Sequence, residues 1–464
     1  MTAMPPADAA TAPRPVSMGL YAIAAALATC ADLFGLAAAL PVAGAALVAF
    51  VLLEFARIRR PQQIAALVLF VVSIGLGLRF GALWSILSEG VLKTLPFMLI
   101  FASVGWLRAA AGESPSLMAL RQGLSRMPPG RRFIAISSAA HGLGAGFNLA
   151  GMGLLTPILD DVKDDPEAGQ RLRCAILWGF STAASWSPFL VGTAVVLSAL
   201  PGVAWFQMAP YGVFIAVGFL IWAAVYNRLV HRGAKPEGPA PPRAPMPNLW
   251  PAALRMLVAI LLLFALTLSL IEIGGLRLTT AIAIAAPCFG LSWLALVHAR
   301  RDPQRIAQVV RGVIQSYPGM RTESTLFVAA NIFGVAISAS LPHDHGTNGA
   351  VPWAGLGTGV DFVDTLLAIW AYLAVCAAGL HPVILLVVFT TLADPAALGL
   401  PLPLLGAVFM ALWGMGTAVS PLSGTTLFMS QFSPVSSFTI AWRWNSVFFS
   451  LGAVWLAVAI ALLR

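Results

Sequence analysis

Charge is what this sequence has least of. Asp, Glu, Lys and Arg make up only 10% of the 464 residues, whereas soluble domains carry roughly 25% of them. With 59% hydrophobic residues, the chain has too few polar side chains to cover a soluble surface, so a soluble domain is excluded. The apolar runs are continuous rather than alternating, which excludes a membrane β-barrel. We therefore expect an all-α polytopic membrane protein that lies in the lipid bilayer.

Cysteines and catalytic motifs are equally scarce. The four cysteines are far apart, in or beside apolar runs, so we expect neither a disulfide framework nor a CxxC metal site. No GxSxG, HExxH or paired intramembrane Asp is present. We therefore expect no enzyme, no cofactor and no resident metal, with an intramembrane enzyme as a remote alternative. The net charge of +9 comes from Lys and Arg in short loops, which indicates membrane orientation rather than nucleic-acid binding.

About 11 transmembrane helices are predicted, because an apolar run of about 20 residues crosses the hydrocarbon core. Clusters of Arg or Lys follow several of these runs and mark cytoplasmic loops. The N-terminus is then cytoplasmic too, and the predicted location is the bacterial cytoplasmic (inner) membrane, with multiple passes. The predicted spans are about 17–36, 38–56, 62–80, 83–107, 174–199, 203–226, 251–270, 277–297, 322–341, 404–430 and 442–463.

Two further apolar runs do not fit a simple crossing. The run at about 133–159 follows an arginine-rich cytoplasmic loop and ends at the charged loop Asp160–Arg173. Counting back two crossings from the basic cluster at 228–243 places that second loop in the cytoplasm as well. The run therefore enters and returns as a re-entrant hairpin, whose glycines permit a tight turn. The run at about 365–393 repeats the pattern, and its tip reads AAGLHP where the first hairpin has AAHGLG.

The two halves of the chain correspond element by element. Each has three spans, a hairpin, a broken span and a last span, but the first half begins outside and the second begins inside. This is the pattern of an inverted-topology repeat, which many transporters use. We predict a disordered cytoplasmic tail at 1–16, an extra span at 17–37, the first repeat at 38–226, a Pro-rich cytoplasmic linker at 227–250 and the second repeat at 251–464.

The two broken spans carry the most informative motif of the chain. Residues 178–188 read WGFSTAASWSP, and residues 413–421 read WGMGTAVSP. Ser-Pro is typical of a helix start, with Ser as N-cap and Pro at the first helical position. A helix that starts at mid-membrane points unpaired N–H groups into a cavity, where an anion binds without any Arg. The discontinuous helix that ends near Thr182 or Thr417 offers spare carbonyls to a sodium ion.

These motifs, the two hairpin tips and the number of spans resemble the ion transporter superfamily over roughly residues 38–463. That group includes divalent-anion:sodium symporters, citrate carriers, arsenite and sodium/proton antiporter-like proteins, and the large subunits of tripartite periplasmic carriers. The resemblance implies secondary transport and a homodimer. Sodium-coupled carboxylate members carry Ser-Asn-Thr at the tips, whereas this chain has His141 to Asn148 in one tip and Gly379 to Pro382 in the other.

The sequence thus predicts a secondary active transporter for a small anion, with an organic acid as the favoured class, coupled to Na+ or H+. A cation/proton antiporter is the alternative, although the breaks and tips contain no carboxylate. The tip histidines could carry a proton or hydrogen-bond the substrate. The candidate substrate-binding residues are Ser185, Ser187, Ser420, Ser423, His141, Asn148 and His381. The candidate coupling-ion residues are Ser181, Thr182, Thr417 and Thr425.

Overall fold

The structure is a computed structural model that describes residues 15–200, 202–231, 248–298, 302–340, 358, 360–380, 382–386 and 399–464. Over these residues the chain is helical and has no β-strand, which confirms the all-α class. Residues 382–386 are also helical. The other helices are α1 (Pro15–Phe34), α2 (Ala39–Glu54), α3 (Arg60–Arg79), α4 (Leu83–Gly112), α5 (Pro115–Ser125), α6 (Pro129–Phe147), α7 (Leu149–Gly153), α8 (Pro166–Ala183), α9 (Val191–Ala199), α10 (Trp205–Val230), α11 (Trp250–Glu272), α12 (Leu278–His298), α13 (Pro303–Ser316), α14 (Arg321–Ser340), α15 (Asp361–Ala377), α16 (Leu402–Val419), α17 (Gly424–Ser430) and α18 (Ser437–Leu463).

Ten helical segments in the described part are long and apolar enough to cross a membrane, which agrees with a polytopic membrane protein. The sequence predicted about 11 such spans. The difference is the predicted span 174–199, which the structure divides between α8 and α9. The first half of α8 carries Glu167, Arg171 and Arg173, and α9 has only nine residues. Neither helix therefore meets the length and hydropathy of a complete span.

Proline and acidic caps explain where some of these helices begin. α8 and α13 both start at a proline, whose missing N–H would have no partner in the first turn. The residue before each proline accepts a hydrogen bond from the first turn. Asp165 Oδ1 accepts from the Ala168 amide at 3.0 Å, and Asp302 Oδ1 accepts from the Arg305 amide at 3.2 Å. These caps satisfy N–H groups that the helix itself leaves unpaired.

The chain folds into two compact units. Unit 1 is Met1–Ala109 with Ser269–Leu341, and unit 2 is Ala110–Leu268 with Pro342–Arg464. Unit 2 contains the described parts of both hairpins and both breaks. This partition follows spatial packing, whereas the repeats 38–226 and 251–464 follow sequence order, so the repeat boundaries remain a prediction.

Unit 1 packs around aromatic rings and one buried carboxylate. The ring centroids of Tyr21 and Tyr317 are 5.2 Å apart. Glu54 is fully buried and accepts a hydrogen bond from Ser17 Oγ at 2.6 Å. Its other oxygen lies 3.7 Å from Arg321 Nη1. The carboxylate charge is therefore compensated within the unit, as a buried charge requires.

Candidate functional site

The first hairpin is a reversal of the chain between α6 and α8. Arg132 in the first turn of α6 has its Nη2 atom 3.8 Å from Asp161 Oδ2, at the end of the returning segment. Residue numbers in the contacting pairs then increase in the same direction along both segments. Ser137 lies against Gly179, and Ala145 lies against Ser187 just beyond the end of α8. The two helices are therefore parallel and begin at the same end. A re-entrant run needs this backbone path, while its position in a bilayer remains a prediction.

Asn148 forms the tip of this hairpin. Its φ of +55° is the only positive value at a non-glycine residue in the described ranges, and with a ψ of −146° the backbone is strained, because few residues other than glycine adopt this combination. The side chain is buried, and its Oδ1 accepts from the Leu149 amide at 2.6 Å. Its Nδ2 donates to the Phe189 carbonyl at 3.0 Å. The predicted binding residue Asn148 therefore joins the hairpin tip to the first break.

The first break separates α8 from α9 at residues 184–190. Ser187 Oγ donates to the Ala145 carbonyl of the hairpin at 2.6 Å and accepts from the Phe189 amide at 3.2 Å. The Thr193 hydroxyl donates to the Ser187 carbonyl. Ser187 is thus fully buried and anchored by its side chain and its backbone.

The second break separates α16 from α17 at residues 420–423. The Ser423 hydroxyl donates to the Thr417 carbonyl and accepts from the Thr426 amide at 3.3 Å. The Thr426 hydroxyl donates to the Ser420 carbonyl at 2.7 Å. Backbone groups freed by the interruption are therefore partly satisfied by hydroxyls within the break, which membrane proteins require of irregular backbone.

The two breaks share a hydrogen-bonding pattern. In each, a threonine six residues after the Ser of Ser-Pro donates to that Ser carbonyl: Thr193 to Ser187, and Thr426 to Ser420. In each preceding helix, the predicted coupling-ion threonine donates three residues back. Thr182 Oγ1 reaches the Gly179 carbonyl at 2.8 Å, and Thr417 Oγ1 reaches the Gly414 carbonyl at 3.0 Å. The similarity of the breaks therefore extends from sequence to hydrogen bonds.

The predicted N-cap role of Ser187 and Ser420 is wrong. The helices restart three or four residues later, with Leu190 as the N-cap of α9 and Ser423 as the N-cap of α17. Ser420 is instead the C-cap of α16, with an extended ψ of 121°. Proline disfavours the helical conformation in the residue before it, so Ser420-Pro421 ends α16 rather than starting the next helix. In the first break, α8 already ends at Ala183, before Ser187-Pro188.

The two breaks lie against each other at glycines. A Cβ placed on Gly414 would be 2.2 Å from the Ser181 carbonyl oxygen, and one on Gly192 would be 2.6 Å from the Trp413 ring.

Ser181 and Ser420 are predicted site residues that are buried, at 3% and 0% exposure. Neither hydroxyl has a hydrogen-bond partner among the residues that the structure describes. Since burying an unpaired hydroxyl is unfavourable, both are candidates to bind a ligand.

His141 has both ring nitrogens occupied. The Trp186 indole N–H donates to His141 Nε2 at 3.1 Å, so Nε2 is the acceptor and the proton of a neutral ring lies on Nδ1. Nδ1 is 3.0 Å from Thr182 Oγ1, which donates onward to Gly179. His141 therefore holds the hairpin against the first break, and substrate binding or protonation there would break one of these bonds.

Asn445 is a buried polar residue that the sequence reasoning missed. It ends a π-helical turn at Ile440–Asn445, a local geometry that is frequent at functional sites. Its Oδ1 accepts from the Trp178 indole at 3.0 Å, and its Nδ2 donates to the Ala418 carbonyl at 2.8 Å. It thus links the first Trp-Gly motif to the end of α16. In the sequence, a polar Asn directly before the apolar run 446–463 could have marked this residue as a candidate.

For the remaining predicted residues, the described part of the chain gives burial and backbone contacts but no link between the hairpin and the breaks. Ser185 is buried, and its amide donates to the Thr182 carbonyl at 3.2 Å. Thr425 is buried in the first turn of α17. His381 lies outside the described residues; Gly379, two positions before it, has a φ of +107°. In the described part of the chain, no group of three or more His, Cys, Asp or Glu side chains could hold a metal ion.

No protein-family model matches the chain, and no curated protein is similar to it. Several solved structures are similar in fold, and two of them are membrane transporters. The Alcanivorax borkumensis YdaH transporter, whose topology is described as unusual, has 16% identity and a TM-score of 0.52 over 83% of this chain and 89% of its own. Neisseria gonorrhoeae MtrF, described within a class of antimetabolite efflux pumps, has 14% identity and a TM-score of 0.50 over 83% and 85%. The chain therefore shares the fold of these membrane transporters.

Proposed function

We propose that the protein is a secondary active transporter that moves a small anion, an organic acid, across the bacterial cytoplasmic membrane in exchange for or together with H+ or Na+. The observation that carries this proposal is the meeting of two matched helix breaks in unit 2. At that meeting point the hydroxyls of Ser181 and Ser420 are buried without a hydrogen-bond partner in the described part of the chain. The fold shared with two transporters supports the same class of activity.

The chemistry of the breaks favours an anion held by neutral donors. Residues 184–190 and 420–423 contain hydroxyls and no Lys or Arg. The first turn of α9 begins within unit 2, and its N-terminus carries a partial positive charge of about half an elementary charge. Hydroxyl and backbone donors of this kind bind carboxylates without a permanent positive charge. Ser420 and Ser181 would then donate to the substrate.

The coupling ion would use the C-terminal ends of the broken helices. Thr182 and Thr417 donate their hydroxyl hydrogens to carbonyls of the preceding turn, so their oxygen atoms keep lone pairs for other contacts. One lone pair of Thr182 accepts from His141 Nδ1, 3.0 Å away. Hard cations prefer oxygen ligands of this type. A proton would need a titrating group, and His141 is engaged at both nitrogens. These contacts favour Na+ over H+ at the breaks.

Uptake into proteoliposomes tests the proposal. The purified chain would be reconstituted, and a panel of radiolabelled mono-, di- and tricarboxylates offered under an imposed Na+ gradient, an imposed pH gradient, or neither. We expect uptake of at least one acid to rise several-fold with one gradient and to fall in Ser420→Ala. Ser198→Ala, whose hydroxyl only bonds back to Val195 within α9, is the matched control. Gradient-independent flux for every acid would contradict the proposal.

Efflux is the second candidate, since MtrF is described within a class of efflux pumps. The alternative predicted from the sequence, a cation/proton antiporter, would also exchange one solute for another across the membrane. A dye that reports the pH gradient in everted vesicles separates these possibilities. Recovery of fluorescence on adding Na+ or K+ would indicate cation/proton antiport, whereas recovery only on adding an organic anion would indicate anion exchange.

A further inference from the structure

Unit 1 contains a cavity of about 380 Å³ that the transport proposal does not use. It lies between α1, α4 and α12, and its walls are mostly alanine and leucine side chains, among them Ala28, Ala31, Leu95 and Leu99. That volume would hold roughly a dozen waters, each of which needs two to four polar partners. The walls offer few such groups, so an apolar occupant suits the cavity better than water.

The polar groups that line the cavity include a contact between Asp32, Arg277 and Thr280. Asp32 Oδ1 is 3.4 Å from Arg277 Nε, and the Thr280 hydroxyl donates to Asp32 Oδ2 at 2.5 Å. Both carboxylate oxygens are therefore engaged. The Arg277 side chain is 81% exposed, and Asp32 is its only ion-pair partner among the residues that the structure describes. The guanidinium thus keeps N–H donors for an outside acceptor.

The surroundings of this ion pair are apolar and exposed. Phe34 and Leu36, in and beside the turn between α1 and α2, are 66% and 52% exposed, and Ile273 before α12 is 87% exposed. Gly35 and Ala37 of the same turn line the cavity. Large apolar side chains that protrude in this way are stable in contact with lipid, not with water. The cavity therefore opens towards the bilayer.

We propose that this cavity binds a phospholipid, with one acyl chain between α1, α4 and α12 and the phosphate on the Arg277 guanidinium. Arg pairs with phosphate through two parallel N–H···O bonds, and Asp32 fixes the orientation of the guanidinium for that contact. A free phosphate ion would leave the apolar walls empty. A helix of a second copy, about 10 Å across, would exceed the volume of about 380 Å³ within a single turn, whereas part of one acyl chain fits it.

Native mass spectrometry of the full chain in detergent tests this site. Phosphatidylethanolamine and phosphatidylglycerol would be added in equal amounts and the retained phospholipid measured. We expect Ala28→Phe, which fills the cavity, to abolish the retained lipid, and Arg277→Gln to weaken retention at least tenfold. The controls are Ala26→Phe on the exposed face of α1 and Arg79→Gln, an exposed arginine that does not line the cavity. Both should retain lipid as the unchanged protein does.

The smaller substitution Ala31→Leu keeps the test valid if Ala28→Phe does not fold. Folding would be verified by a monodisperse elution profile and an unchanged melting temperature without added lipid. Retention of lipid by a folded cavity-filling variant, at the level of the unchanged protein, would overturn the proposal. Displacement of the bound species by millimolar inorganic phosphate would also overturn it, because that result means a simple anion site.

Discussion

Asn445 accepts a hydrogen bond from the Trp178 indole at 3.0 Å and, through its Nδ2, donates to the end of the helix before the second break at 2.8 Å. The Trp178 ring also stacks on Phe448, with centroids 4.0 Å apart and planes at 4°. One fully buried amide thereby connects the two halves of unit 2 that carry the matched motifs.

Asn445→Leu removes both hydrogen bonds and leaves the Trp178 N–H and the Ala418 carbonyl buried without partners. Each unpaired group costs about 1–3 kcal/mol, so we expect the melting temperature in detergent to fall by several degrees and uptake to fall with it. Gln122→Leu, at an exposed position of α5 in the same unit, is the control and should melt normally. An unchanged melting temperature for Asn445→Leu would show that the link carries no stability.

Substitutions of the break serines should affect either substrate uptake or protein stability, depending on which serine is changed. Ser181→Ala and Ser420→Ala remove hydroxyls that have no partner within the residues described by the structure, so stability should hold or rise slightly while uptake drops at least tenfold. Ser187→Ala removes the bonds to Ala145 and Phe189 and should cost about 1 kcal/mol of stability. Thermal melting beside uptake distinguishes the two classes. Normal uptake in both of the first two variants would exclude those hydroxyls as ligands.

His141→Gln should slow transport without changing its pH profile. The ring bridges Trp186 and Thr182 in its neutral form, so it positions the hairpin rather than carrying the coupled proton. Uptake rates would be measured between pH 5.5 and 8.5 for both proteins. A profile that flattens or shifts in the variant would mean that His141 does exchange the proton.

Glycine at the crossing of the breaks is a steric requirement. Gly414→Ala would place a methyl group 2.2 Å from the Ser181 carbonyl oxygen, and overpacking of this kind costs about 1–3 kcal/mol. We expect reduced yield and a lower melting temperature. Gly142→Ala in α6 is the matched control, because its Cβ would meet nothing within 4 Å. Equal stability of the two variants would contradict the close approach.

The first hairpin predicts that both of its ends face the cytoplasm. In a background without the four native cysteines, Arg131→Cys and Lys163→Cys at exposed positions would be treated with a membrane-impermeant maleimide. Both should be labelled in everted vesicles and protected in intact cells. Labelling from opposite sides would mean that the run 133–159 crosses the membrane.

Loop charge was sufficient to predict the reversal after α6. The apolar run 133–159 lies between two loops that are both assigned to the cytoplasm, so it cannot cross the membrane once and has to turn back. The motif WGxxTA…SP was likewise sufficient to predict two interrupted helices. The sequence could not show which residue would cap each restart. Ser420 and Ser423 are both suitable caps of α17 by residue type, and Ser423 takes that role because its hydroxyl reaches the Thr426 amide.

Residue pattern alone therefore determined the all-α membrane class, the approximate spans and the two breaks, because hydrophobicity, charge and Ser-Pro act locally. Tertiary structure decided what the polar side chains do. It engaged both nitrogens of His141 and left the hydroxyls of Ser181 and Ser420 without partners over the described ranges. It also brought Asn445 to Trp178 across 267 residues of sequence. These outcomes depend on which atoms lie within hydrogen-bond distance of each other, and packing sets those distances.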